Sequence, residues 1–202
     1  MNTSTATREM PGGGWLSGPN MLTIGRMVAA PPLVALLLLG DAWACWAAFG
    51  LYVFACLSDW LDGYWARRSG LVSVIGRTLD PIADKLLVAV VLVGLMANGT
   101  IQGWQCLAPA LIFMREFTVA GLREGLAGDG FVLPVSFLGK TKTSVQMVAL
   151  GLLLLPAVMP LAGLMPVALG LLWLATAMTV WSGLVYLHAA IGFMNRINRA
   201  AE

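Results

Sequence analysis

Residues 58–85 read SDWLDGYWARRSGLVSVIGRTLDPIADK. Four aspartates, Asp59, Asp62, Asp80 and Asp84, sit here with Arg67, Arg68 and Arg77, and the stretch is flanked on both sides by long apolar runs. An unpaired ionisable group in such surroundings costs about 2.5 to 3.5 kcal/mol even on the lenient insertion scale. Clustered acids that face this cost require a compensating cation, and divalent metal is the first candidate.

The rest of the chain explains why the flanks matter. Its 202 residues are 59% hydrophobic and only 11% charged, against about 25% charged in an ordinary soluble domain. The composition predicts a polytopic, all-helical membrane protein of one domain. A net charge of +2 gives no reason to expect a nucleic-acid partner. Cys45, Cys56 and Cys106 are odd in number and widely spaced, so they fit neither a disulfide framework nor a zinc site and read as small buried hydrophobes.

Outward from the aspartates, Asp41 is the one charge between Arg26 and Asp59, and Gly40-Asp41 marks a turn. Two spans are predicted there, about 24–39 (starting near Asn20) and 43–57, the first distorted at Pro31-Pro32. No charge falls between Leu86 and Met114, where Asn98-Gly99-Thr100 divides spans of about 81–97 and 104–122. No Lys, Arg, Asp or Glu falls between Thr143 and Asn195, where Pro156, Pro160 and Pro166 divide spans of about 144–155 and 167–187. Six spans leave three short connections without Lys or Arg on one side, so the basic side, with both termini and the four aspartates, is predicted to be cytoplasmic. Residues 1–18 are expected to form a flexible tail with no signal peptide, 19–195 the membrane domain and 196–202 a short cytoplasmic tail.

Asp59 and Asp62 share a helix face at i and i+3, and Asp80 and Asp84 at i and i+4. A loop of about a dozen residues containing Gly70 and Gly76 is expected to bring the two helix ends together. Four converging carboxylates repel one another. Two divalent ions balance their charge, and an all-oxygen shell selects Mg²⁺ or Mn²⁺, which also take substrate phosphate oxygens. Small Gly63 and Ala66 leave room for a close approach to the helix, although small residues also serve helix packing in membranes.

The spacing DxxDGxxAR, eight residues, then GxxxDxxxD, filled by Asp59, Asp62, Gly63, Ala66, Arg67, Gly76, Asp80 and Asp84, resembles the signature of the CDP-alcohol phosphotransferase family. That resemblance implies a six-helix membrane fold, usually homodimeric, with two metals on the four aspartates, a CDP-linked lipid as donor and an alcohol as acceptor. By position it implies that Asp62, Gly63, Ala66, Arg67 and Gly76 lie against the CDP-lipid, and that Asp84 is the general base. Asn20, Leu22, Thr23 and Arg26 form NxLTxxR, and Met114–Glu124, Gly139–Met147 and LDPIADK around Asp80 also look like the phosphatidylglycerolphosphate synthase branch. This branch implies CDP-diacylglycerol as donor, glycerol 3-phosphate as acceptor and a place in the bacterial inner membrane with the site facing the cytoplasm.

A dianionic acceptor needs its own cations. Arg115, Arg123, Lys140 and Lys142 are the candidates, with Glu116 and Glu124 as ion-pair partners. The same cations also suit a positive-inside loop or lipid headgroups. His188, the sole histidine, reads as structural. Two rivals stay open at this point: another acceptor alcohol such as inositol phosphate or serine, and a divalent-cation transporter. Transport sites sit near the bilayer midplane in broken helices, unlike aspartates at helix ends on the basic side.

Overall fold

The computed structural model describes residues 18–69, 74–128, 137–155 and 163–201, with the side chains of 18–20, 60, 62–69, 74–77, 137–140, 198, 200 and 201 outside the description. The described residues form six α-helices and one short 3₁₀ turn, with no strand among them. These are α1 (Gly18–Leu39), α2 (Ala42–Ser69), α3 (Val74–Ala97), α4 (Leu107–Ala127), α5 (Phe137–Leu154) and α6 (Leu164–Ala201), with the 3₁₀ turn Gly103–Cys106 leading into α4.

Turn chemistry sets the helix ends where the sequence placed them. Gly40 adopts φ +72° between α1 and α2, a left-handed conformation that costs glycine little, and the Asp41 carbonyl accepts the Cys45 amide at 2.9 Å to start α2. After α3, Gly99 takes φ +79°. The Asn98 side chain accepts the Thr100 amide at 3.0 Å, and the Ile101 amide closes onto the Leu95 carbonyl at 2.9 Å, so the last carbonyls of α3 keep partners. Pro166 falls in the first turn of α6, where a missing amide is tolerated. Pro156 and Pro160 lie outside the described residues, as do residues 1–17 of the expected tail and residues 129–136 between α4 and α5. Helix α1 continues through Pro31 and Pro32.

The helices are longer than the apolar spans. α2 continues past its apolar stretch to Ser69, and α3 begins at Val74. Only residues 70–73 separate them, a shorter connection than the dozen residues expected, and Gly76 lies within α3. Arg67, Arg68, Ser69 and Arg77 continue these helices beyond the apolar stretches, since a helix satisfies its backbone hydrogen bonds within itself. α6 likewise runs to Ala201, so 196–201 continue the last helix instead of leaving it as a tail.

Helix α1 packs against both α2 and α3, α5 packs on α6, and α4 packs on α6. The core between them is aliphatic, with Leu33, Val91, Leu92, Ile112, Leu150 and Leu172 fully buried. At Gly94 a Cβ would lie 2.7 Å from Leu37 Cδ1, so glycine lets α3 approach α1 closely. The Tyr52 hydroxyl donates to the Met147 carbonyl at 2.6 Å and ties α2 to α5. Trp173 stacks on Trp104 with centroids 5.3 Å apart and donates Nε1–H to Gln105 at 2.7 Å, fixing α6 to the 3₁₀ turn. All three cysteines are free, Cys45 buried and the other two half-buried.

Large apolar side chains including Val28, Phe54, Phe117, Val148, Trp181 and Leu184 point outward. An outer surface of this kind belongs in lipid. Residues 21–39, 42–59 and 164–197 are long and apolar enough to cross a membrane, and Thr141–Leu154 is a shorter apolar helix. The chain is an all-helical membrane protein.

Candidate active site

At one end of the molecule, three helices bring opposite charges together. Arg26 of α1 is only 2% exposed. Its Nη1 donates to Asp59 of α2 and, at 2.9 Å, to Asp84 of α3. Its Nη2 lies 3.7 Å from Asp80 Oδ1. One helical turn before Arg26, Thr23 Oγ1 donates to the same Asp80 oxygen at 2.6 Å, as residues three apart on one helix face should. Aspartates 21 and 25 residues apart from Asp59 in sequence, since 80 − 59 = 21 and 84 − 59 = 25, thus meet on one guanidinium.

The two sides of this cluster differ in access. The Arg26 side chain is 1% exposed, whereas those of Asp59, Asp80 and Asp84 are 46%, 49% and 41% exposed. The arginine closes the cup from behind, and the carboxylates line its open face. Burial of an unpaired guanidinium in this apolar helix would be prohibitive, so the acids satisfy Arg26 as much as it satisfies them.

Asp62, Gly63, Ala66 and Arg67 follow Asp59 on α2, and Gly76 precedes Asp80 on α3. Their side-chain positions lie outside the described residues. Among the described residues no three His, Cys, Asp or Glu side chains already gather as a metal-ligand group. Asp59, Asp80 and Asp84 instead all face Arg26, and the fourth aspartate, Asp62, lies outside the described side chains. The donor set itself is all carboxylate oxygen, which fits Mg²⁺ or Mn²⁺ and not a thiolate- or imidazole-preferring ion.

A second cluster joins α4, α5 and α6. Glu116 Oε1 accepts from Lys142 Nζ at 2.6 Å and from Arg115 Nη1 at 2.8 Å. Arg115 Nη2 donates to Ser182 Oγ at 3.0 Å. A Cβ at Gly183 would lie 2.6 Å from Arg115 Cγ, so the absent side chain makes the space in which Arg115 lies along α6. Lys142 is 6% exposed. Glu116 is therefore the ion-pair partner expected of it, and two of the four candidate acceptor cations converge on it. Arg123 is exposed and instead donates to the Tyr186 hydroxyl at 2.9 Å, with its guanidinium 5.9 Å from that ring's centroid. The side chain of Lys140 lies outside the described residues. His188 is exposed on α6 in a recess with Trp181, Leu184 and Val185, and no carboxylate among the described residues lines it.

Sequence reasoning assigned no site role to Arg26 or Thr23, although both belong to NxLTxxR. The signal was present, because Arg26 is a lone cation at the start of an apolar span, and such a residue demands a partner. Ser182 and Tyr186, which hold Arg115 and Arg123, carried no signal because they lie more than 60 residues away, at separations of 67 and 63.

Comparison with known proteins gives this arrangement its class. The chain belongs to the CDP-alcohol phosphatidyltransferase family, whose model matches residues 16–181. A CDP-diacylglycerol--glycerol-3-phosphate 3-phosphatidyltransferase of Rickettsia bellii is 41% identical over 177 residues, covering 85% of this chain and 93% of that protein. The protein of the same name from Salmonella choleraesuis is 38% identical over 176 residues, covering 86% and 94%. A cardiolipin synthase (CMP-forming) of Oryza sativa is 36% identical over 193 residues, covering 86% of this chain but 57% of that protein. The chain is thus a membrane-embedded member of a transferase family, and the transporter alternative falls away.

Proposed function

We propose that this chain transfers the phosphatidyl group of CDP-diacylglycerol to glycerol 3-phosphate, giving phosphatidylglycerol phosphate and CMP in phospholipid biosynthesis. The observation that carries the reading is the convergence of Asp59, Asp80 and Asp84 from two helices at one open cup, within the family pattern and beside relatives named for this reaction. An acceptor hydroxyl oxygen forms a new bond to the lipid-side phosphorus, and the bond from that phosphorus to the CMP oxygen breaks. Asp84 accepts the hydroxyl proton.

Asp59, Asp62, Asp80 and Asp84 would hold two Mg²⁺ or Mn²⁺ ions, which when bound supply charge neutralisation at the pyrophosphate. Asp62, Gly63, Ala66, Arg67 and Gly76 line the CDP side in this reading, with Arg67 a cation for the departing phosphate. Arg115, Arg123, Lys140 and Lys142 receive the phosphate of the acceptor. Lys142 and Arg115 reach it from their shared anchor on Glu116, and Arg123 from the exposed rim.

Six crossings place both termini and the cup on the cytoplasmic side of a bacterial inner membrane, with a homodimer as the working unit. The distribution of Lys and Arg supports that orientation. α3 and α4, at 24 and 21 residues, have the length to cross, which takes about 20 residues. α5 is shorter, at 18 residues.

The deciding experiment supplies purified protein with CDP-diacylglycerol and, separately, glycerol 3-phosphate, phosphatidylglycerol, inositol phosphate and serine, and follows CMP release. The phosphatidylglycerol arm is set by the relative named cardiolipin synthase. Release with glycerol 3-phosphate is expected. Release with another acceptor and none with glycerol 3-phosphate would overturn the assignment. Arg123→Gln, an exposed change that leaves the core untouched, is expected to raise KM for glycerol 3-phosphate roughly tenfold, as loss of a charged hydrogen bond should, with KM for CDP-diacylglycerol unmoved. Equal shifts in both constants would remove Arg123 from the acceptor pocket.

A further inference from the structure

We infer that Arg26 is a built-in counter-cation, which holds the aspartate cup together in the metal-free protein and competes with divalent metal for the same carboxylates. This rests on the proposed metal role of Asp59, Asp80 and Asp84, and adds to it a residue that the reading above leaves without a function.

Three observations lead here. First, position: Nη1 bonds to both Asp59 and Asp84, and Nη2 faces Asp80, so one guanidinium occupies the point on which acids of α2 and α3 converge. Second, charge: three carboxylates against one guanidinium give −3 + 1 = −2, a surplus that still attracts a divalent ion. Third, access: Arg26 is buried behind the cup and the acids face outward, so metal approaches from the side opposite the arginine.

The consequence is competitive. Ligands of Mg²⁺ must close to about 2.0 to 2.1 Å of the ion, and a guanidinium lodged between the carboxylates keeps them from doing so. Metal entry therefore requires Arg26 to surrender at least one carboxylate, and the repulsion of two cations in one cup opposes it. With five donors on a planar fork, Arg26 can release one acid and keep another. Thr23 assists by holding Asp80 independently at 2.6 Å. Without metal, the same guanidinium offsets the carboxylate repulsion that would push α2 and α3 apart. Arg26 is thus a positioning residue for the metal site.

The test uses the purified full-length chain without lipid substrate. Free Mn²⁺ is followed by electron paramagnetic resonance, and thermal unfolding is recorded with chelator and with saturating Mn²⁺. Arg26→Gln is expected to bind Mn²⁺ roughly tenfold more tightly than the unaltered chain, since one competing unit charge is gone. Its Tm should fall in chelator and recover in Mn²⁺. Arg26→Lys, which keeps the charge but loses the fork, should lie between the two. Mn²⁺ binding by the unaltered chain with no tightening in Arg26→Gln overturns the role of Arg26 and leaves the metal reading standing. No Mn²⁺ uptake by either the unaltered chain or Arg26→Gln overturns both. If Arg26→Gln is lost on extraction without metal, extraction in Mn²⁺ decides: recovery of folded protein supports the inference, and continued loss overturns it.

Discussion

Asp84→Asn is expected to lower the turnover of CDP-diacylglycerol by about 10²- to 10⁴-fold, the range associated with a positioned general base, while the protein still folds. The amide has the size of the carboxylate but cannot accept the proton of an acceptor alcohol. Folding should survive because Arg26 retains Asp59 and, more distantly, Asp80. Asp80→Asn is a useful comparison. It too should reduce turnover, but added Mg²⁺ should recover part of the loss, because a weakened ligand can be offset by mass action whereas a missing base cannot. The measurement is CMP release at saturating donor and acceptor across a Mg²⁺ series, with Tm as the control for folding. Unchanged turnover in Asp84→Asn would remove that residue from the chemistry, and equal recovery of both variants by Mg²⁺ would make Asp84 a ligand alone.

Glu116→Ala carries the largest expected effect on stability. Glu116 is the anion shared by Lys142 and Arg115 across α4 and α5, and the three side chains are 22%, 8% and 11% exposed. Removing the acid leaves two largely buried cations facing each other, and breaking a buried pair from one side costs about 3 to 5 kcal/mol. The Ser182 hydroxyl softens the loss at Arg115 but cannot balance charge. Adding Lys142→Ala to Glu116→Ala should restore a substantial part of the stability, since the cation left without a counter-charge is then gone. Thermal unfolding of the two single variants and the double variant closes the cycle. A double variant no more stable than Glu116→Ala would show that the ion pair does not set the stability of this region.

Most of the architecture is legible in the sequence. Apolar runs of helix-crossing length, broken at Gly40-Asp41 and Asn98-Gly99, predict the helices and two of their turns, because glycine at positive φ and an Asn side chain bonding its own backbone are local chemistry. The boundaries were less legible. α2 and α3 extend through charged residues to leave only 70–73 between them, since a hydropathy pattern marks where lipid ends and not where a helix ends.

The acids at positions 59, 62, 80 and 84 are determined by the sequence alone. Their spacing on two helix faces and their isolation among apolar residues already require a cation, and the pattern they form is that of the family. What occupies the centre of the cup was decided only by tertiary structure. α1 packs on both α2 and α3, so the guanidinium of Arg26 reaches acids 33 and 58 residues further along the chain. In the same way, Glu116 gathers Lys142 from 26 residues away. Local propensity and periodicity act over a few turns, whereas the pairing of buried charges depends on which helices lie side by side.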